Sequence, residues 1–101
     1  MHIIYCTCNI SVQEQLLEII EACNIREYQV TDQVKAKNKK ADPRFNDPVW
    51  PGYNSSIFMQ VKEIEKLELL AQKIKEFNAD AFNAAELVTF CAWPMSHYFF
   101  Q

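Results

Sequence analysis

Two cysteines separated by one residue, Cys6 and Cys8, and a third in a distant apolar run, Cys91, could hold a soft metal. Thiolate ligands suit copper(I) and zinc, and His2 or His97 could complete such a site. Strand alternation would put Cys6 and Cys8 on one face, with Cys91 on a neighbouring strand. Cysteine also packs well as a small hydrophobe, and no C-x2-C pair with distant partners is present, which favours the packing role. A second group is basic: Lys35, Lys37, Lys39, Lys40 and Arg44 fall within ten positions, accompanied only by Asp42. Such a cluster could take an anionic ligand or an acidic partner surface, or simply stay solvated. A third group is Trp50-Pro51-Gly52-Tyr53. Gly52 after Pro51 fits a type II turn that anchors the base of a loop, and aromatic pockets beside loops serve as ligand sites.

Catalysis is not expected. A nucleophile needs a base within hydrogen-bond reach, yet the two histidines lie at positions 2 and 97. No phosphate-cradling glycine loop and no suggestive carboxylate pair is present.

The 101 residues suit one domain, 1–101, and a half-hydrophobic composition with 13% aromatics excludes disorder. A net charge of −3 gives no bias toward nucleic acid. Apolar runs are too short to span a bilayer. The first residues, Met1-His2-Ile3-Ile4-Tyr5, lack a basic n-region. A cytoplasmic location is expected, with reduced thiols.

Ile3 to Cys8 reads as a strand apolar on both faces. Ser11 with Glu14 makes a capping box for a helix that buries Val12, Leu16, Ile19, Ile20 and Cys23, and Asn24 can close it in a left-handed conformation. From Glu27 to about Lys37 the apolar period becomes two, the mark of a half-exposed edge strand. Residues 38–54 hold three of the four prolines and the sole glycine, a loop long for so small a domain. Ser55 to Val61 is a third strand, and Glu63 to Phe77 a second helix. A connector over 78–86 leads to a fourth strand, Leu87 to Trp93, stopped by Pro94. The aromatic tail, Tyr98-Phe99-Phe100, must bury itself somewhere.

This order is βαββαβ, the α+β ferredoxin-like arrangement: a four-stranded antiparallel sheet with two helices on one face. The other face is also apolar and has no cover, so a homo-oligomer joined sheet to sheet is expected.

The segment Asp42 to Ser55 resembles the PII-like group of small proteins, the nitrogen regulatory PII superfamily. Its W-P-G-x-N-S signature matches Trp50, Pro51, Gly52, Asn54 and Ser55, and Asn9 matches at the strand end. The resemblance implies a PII-like homotrimer with its sheets around a central axis. It also implies a signalling or sensing role. A small ligand would bind at subunit clefts, and a T-loop-like segment, 38–54, would contact a regulatory target, an enzyme or transporter. The ligand or partner residues would be Lys37, Lys39, Lys40, Arg44, Trp50, Gly52 and Asn54. Nucleotide-binding relatives use a glycine-rich turn before strand four and basic residues after it. Here the connector has no glycine and no lysine or arginine follows Lys75, so the usual adenine-nucleotide mode is not expected. The ligand or cofactor stays unidentified. The competing readings are a copper- or zinc-tolerance protein using Cys6, Cys8 and Cys91, and a trimeric adaptor without a ligand.

Overall fold

A computed structural model describes residues 1–39 and 41–100. The chain runs β1 (His2–Asn9), α1 (Gln13–Ala22), β2 (Gln29–Val34), β3 (Asn54–Val61), α2 (Ile64–Ala79) and β4 (Thr89–Pro94). Short 3-10 turns, Ile10–Val12 and Ala84–Glu86, precede α1 and β4. The sheet order is β2-β3-β1-β4 with every neighbouring pair antiparallel. This is the ferredoxin-like fold that the element order implied.

Register separates the two faces of the sheet. Ile4, Cys6 and Cys8 stand opposite Met59, Ile57 and Ser55, and all six are buried. Leu16 and Ile20 of α1 and Leu70 and Ile74 of α2 close over them. Both helices therefore cover one face. The intervening residues Ile3, Tyr5 and Phe58 are only partly buried, and Trp93, across from Ile3, is 43% exposed. The second face is apolar, as the sequence suggested, but it is open within a single chain. Burial of β1 on both faces is thus not met by this chain alone.

Local chemistry moved several boundaries. The helix entry is capped by Asn9, whose Oδ1 accepts from the Ser11 N–H at 3.1 Å, and not by a Ser11–Glu14 box. The chain makes one 3-10 turn first, so α1 starts one residue later, at Gln13, with no side-chain cap at Val12. Asn24 does close α1 at φ 61°. β2 lies at the sheet edge but is shorter than expected. Its register slips between Thr31 and Val34, where Gln33 adopts φ 61°. α2 runs on to Ala79 because no glycine or proline stops it.

β4 begins at Thr89, not Leu87, because Asn78 captures the preceding residue. Its side chain donates to the Val88 carbonyl and accepts from the Val88 N–H, both at 2.9 Å. Pro94 is the last strand residue and not a stop. As β4 is an edge strand, a residue without an N–H is tolerated there. The Met95 N–H then donates to the Met1 carbonyl at 3.0 Å. Beyond it Tyr98 is partly covered, while Phe99 and Phe100 find little cover among the described residues, at 82% and 87% exposed.

Replacing Asn78 with alanine strands a buried peptide group at Val88. The expected loss is about 1–3 kcal/mol of unfolding free energy, read from urea denaturation. A loss within error of zero would show that strand pairing alone positions β4.

Candidate functional site

The 35–53 connection folds back on itself in two stages. Ala36 and Arg44 exchange both backbone hydrogen bonds, at 2.9 and 2.7 Å, and so close off an apex that carries Lys37 and Lys39. Lys40 lies outside the described residues. Below this bridge the Asp47 carboxylate accepts from the Val49 and Trp50 N–H groups at 3.0 and 2.6 Å. The Trp50 carbonyl in turn accepts from the Phe45 and Asp47 N–H groups. Asn46, at φ 55°, donates to the Gly52 carbonyl at 2.9 Å. Gly52 sits at φ +85°, and a Cβ there would meet nothing within 4 Å. Its requirement is conformational, as the Pro51-Gly52 turn implied. The body of the loop is thus pre-organised by Asp47, a residue that sequence reasoning passed over. The D-x-V-W spacing of an Asx turn was its available signal.

Arg44 is 7% exposed, rare for arginine. Its Nη1 donates to Asn54 Oδ1 at 2.8 Å and its Nη2 to the Ala85 carbonyl at 3.1 Å. Three segments therefore meet at one guanidinium: the loop, the start of β3 and the connector before β4. Two ion pairs form among the described residues, Arg26 with Glu21 and Lys66 with Glu63, and Arg44 belongs to neither. Among the described residues its hydrogen bonds go to two neutral oxygens, while a guanidinium offers five N–H donors. A cleft of about 480 Å³ opens beside it, walled by Asp42, Trp50 and Pro51 of the loop and by Asn83, Ala84 and Ala85 of the connector.

The predicted residues divide between two locations. Arg44 and Trp50 line the cleft, and Asn54, buried as the first residue of β3, orients Arg44. Gly52 holds the turn. Lys37 and Lys39 are exposed on the apex and do not line the cleft. The cleft's other wall, Asn83 to Ala85, went unpredicted, because alanine and asparagine carry no signature.

The three cysteines do not converge. Cys6 and Cys8 face the helices, while Cys91 stands opposite Tyr5 on the open face and is exposed. Their strand parity places the sheet between them. Among the described residues no group of three histidine, cysteine or acidic side chains is placed to share a metal ion. Burial pushes the Cys6 thiol up to about 12, with Cys8 and Cys91 nearby adding to it. Burial pushes Cys8 up to about 11, and the charge of Arg44 offsets part of that rise. Both shifts oppose the thiolate that metal ligation requires.

No protein-family model matches the chain, and no curated protein matches its sequence. Solved structures do match its shape. CPII from Thiomonas intermedia bound to ADP and bicarbonate aligns with a TM-score of 0.68 at 10% identity, over 95% of this chain and 88% of that one. CPII bound to ADP, AMP and bicarbonate gives 0.67 at 10% identity, over 91% and 90%. A Thermus thermophilus protein assigned to PII-like signalling gives 0.60 at 15% identity, over 91% and 83%. The chain has the PII-like fold.

Raised folded-state values mean that the native state retains protons the unfolded chain would release. The stability from the Cys6 and Cys8 thiols is therefore complete below the ordinary value of 9.0 and is lost as pH rises from there through about 11 and 12. The urea midpoint should be lower at about pH 10 than at about pH 8, by an amount that the Cys6→Ala, Cys8→Ala double variant mostly abolishes. An equal decline in wild type and variant would place the effect elsewhere.

Proposed function

We propose that this chain is a non-enzymatic PII-like signalling protein that works as a homotrimer. It takes a small oxyanionic ligand in the cleft beside Arg44 and addresses a regulatory target, an enzyme or transporter, through the Lys37–Lys39 apex. The observation that carries this reading is the buried Arg44 guanidinium, which has no carboxylate partner among the described residues and borders a cleft. A buried cation without a counter-ion costs several kcal/mol, on the order of what one charge-assisted, two-point contact with an oxyanion returns. The comparison structures with this fold include complexes with ADP, AMP and bicarbonate, all of which carry oxyanions.

The trimer rests on the open sheet face. Ile3, Tyr5, Phe58 and Trp93 form an apolar surface that two helices cannot reach, and sheet-to-sheet association buries it. The ligand's size follows from the connector. Ala84 and Ala85 carry Cβ atoms where a glycine turn would let phosphates approach the backbone, so the guanidinium is the main anchor. A compact anion such as bicarbonate needs no more than that. The lysine apex stands apart from the cleft and is free to meet an acidic surface.

Titration calorimetry with bicarbonate, AMP and ADP tests the ligand. Binding is expected for at least bicarbonate, with affinity lowered about 10- to 100-fold by Arg44→Gln, the loss of one charge-assisted pair. Saturation at a hundredfold excess over Kd should raise stability by about 2.7 kcal/mol. Silence toward all three ligands removes the reading. Light scattering should return three chain masses, and a monomer would remove the trimer. Lys37→Glu with Lys39→Glu should abolish target capture while leaving the ligand affinity unchanged.

A further inference from the structure

From Phe82 to Leu87, the hydrogen bonds among the described residues are local, with a single exception. Ala85 N–H donates to Asn83 Oδ1, Glu86 N–H to the Asn83 carbonyl, Leu87 N–H to the Ala84 carbonyl, and Phe82 N–H to the Glu86 carboxylate. The exception is Arg44 Nη2 on the Ala85 carbonyl. The 3-10 turn at the centre of this segment buries no residue, and Phe82 beside it is 96% exposed. Ala84, Ala85 and Glu86 are only partly buried, Val88 beyond them is fixed by Asn78, and within the segment the one hydrogen bond to another part of the molecule among the described residues is that of the guanidinium.

We infer that Arg44 is a competitive latch on this connector. Its Nη2 binds the Ala85 carbonyl and ties the 82–87 segment to the loop. An oxyanion entering the cleft meets that same guanidinium, because Arg44 and Ala85 both line it. A charged oxygen outcompetes a neutral carbonyl for a guanidinium, so the anion displaces Ala85 and releases the connector. Asn54 keeps its bond from Nη1, which holds the guanidinium in place while the exchange happens. Ligand occupancy is thereby converted into mobility of a segment that displays Phe82, a second output surface besides the lysine apex. The inference rests on the anion-binding reading above and adds the step by which the bound anion is sensed. The anion shifts the connector only by the difference between its affinity for the released and for the latched state.

Hydrogen exchange on the full chain, read by mass spectrometry over peptides that include Glu86 and Leu87, tests it in two arms. In the ligand-free protein, Arg44→Gln should speed exchange at these amides about five- to tenfold, the equivalent of one lost hydrogen bond, with the β1 and α2 amides as reference. Arg44→Lys, which keeps the charge but cannot fork between Asn54 and Ala85, should do the same should the glutamine variant fold poorly. In wild type, saturating bicarbonate should speed exchange in the same peptides, with inorganic phosphate and ADP run alongside to separate the sources of the oxyanion. Bound anion with unchanged or slowed connector exchange overturns the latch and leaves the binding site intact. Calorimetric silence toward every anion overturns the binding reading and the latch with it, even if Arg44→Gln still loosens the connector. Unchanged exchange in both ligand-free variants overturns the tie itself.

Discussion

Two helices laid across a four-stranded sheet cover one of its faces, and most of this molecule's chemistry follows from which residues fall on which side. Alternation along β1 assigns Ile4, Cys6 and Cys8 to the covered face and Ile3, Tyr5 and Thr7 to the open one. The same parity carried across to β4 assigns Phe90 to the core and Cys91 and Trp93 to the open side. A difference of one residue in register is therefore what divides the cysteines. Two of them become inert core atoms with thiols held protonated by burial, and the third becomes surface.

The covered face is not uniform along its length. At the His2–Val61 end it is aliphatic, with Ile4, Ile57, Met59 and Val61. At the Asn9–Asn54 end of the sheet lie the buried polar residues among those described: Ser55 at a covered-face position opposite Cys8, Asn54 and Ser56 at positions of the other parity, and Arg44 bonded to Asn54. Arg44, Asn54 and Ser55 each have a side-chain hydrogen-bond partner. Gln13 at the start of α1 donates to Ser55 Oγ at 2.6 Å and to Asp32 at 2.7 Å, tying α1 to both β2 and β3. Asn54 takes Arg44, and Arg44 takes the connector. This end of the sheet thus carries two hydrogen-bonded groups, one around Gln13 and one around Arg44, each of which loses a satisfied partner if one member is removed. The other depression, about 340 Å³ at the opposite end, offers a contrast. It is lined by Arg26, Lys62 and Lys66, of which Arg26 and Lys66 already have carboxylate partners. The paired cations at that end keep contact with water, whereas the one at the loop end is buried and not paired.

Strand and helix identity were legible because they rest on periodicity, which the sequence displays directly. Leu16, Ile20, Leu70 and Ile74 announce their helices by spacing alone. Boundaries were less legible where a side chain does a backbone's work, since Asn9, Asn78 and Asp47 each replace a partner that strand or helix geometry would otherwise supply. An asparagine in a connector gives no sign in sequence that it will bond both sides of a peptide ten residues away. The site was half legible for a similar reason. Arg44 was visible only as one of five basic residues, and nothing in composition separates it from Lys37 or Lys39. Its distinction is burial, which depends on Asn54 and Ala85 arriving from elsewhere in the chain. The cysteine grouping misled because spacing within β1 is visible from sequence while the parity of β4 relative to β1 is not.

A buried arginine is a poor way to stabilise a fold. Replacing such a group with well-packed hydrophobes is often neutral or favourable, so a stabilising role is a weak account of it. An acid within reach would make the arrangement ordinary, and Asp42 lines the same cleft without forming an ion pair with Arg44. The guanidinium is instead solvated by one side-chain amide oxygen and one backbone carbonyl, both of which orient it without neutralising it. On the proposed function it is a preorganised receptor for negative charge: part of its desolvation is met on folding, and its direction is fixed by these two contacts. Under the latch proposed above, one of those two contacts is a carbonyl of the connector, so the sensing of a charge and the release of that segment are the same hydrogen-bond exchange.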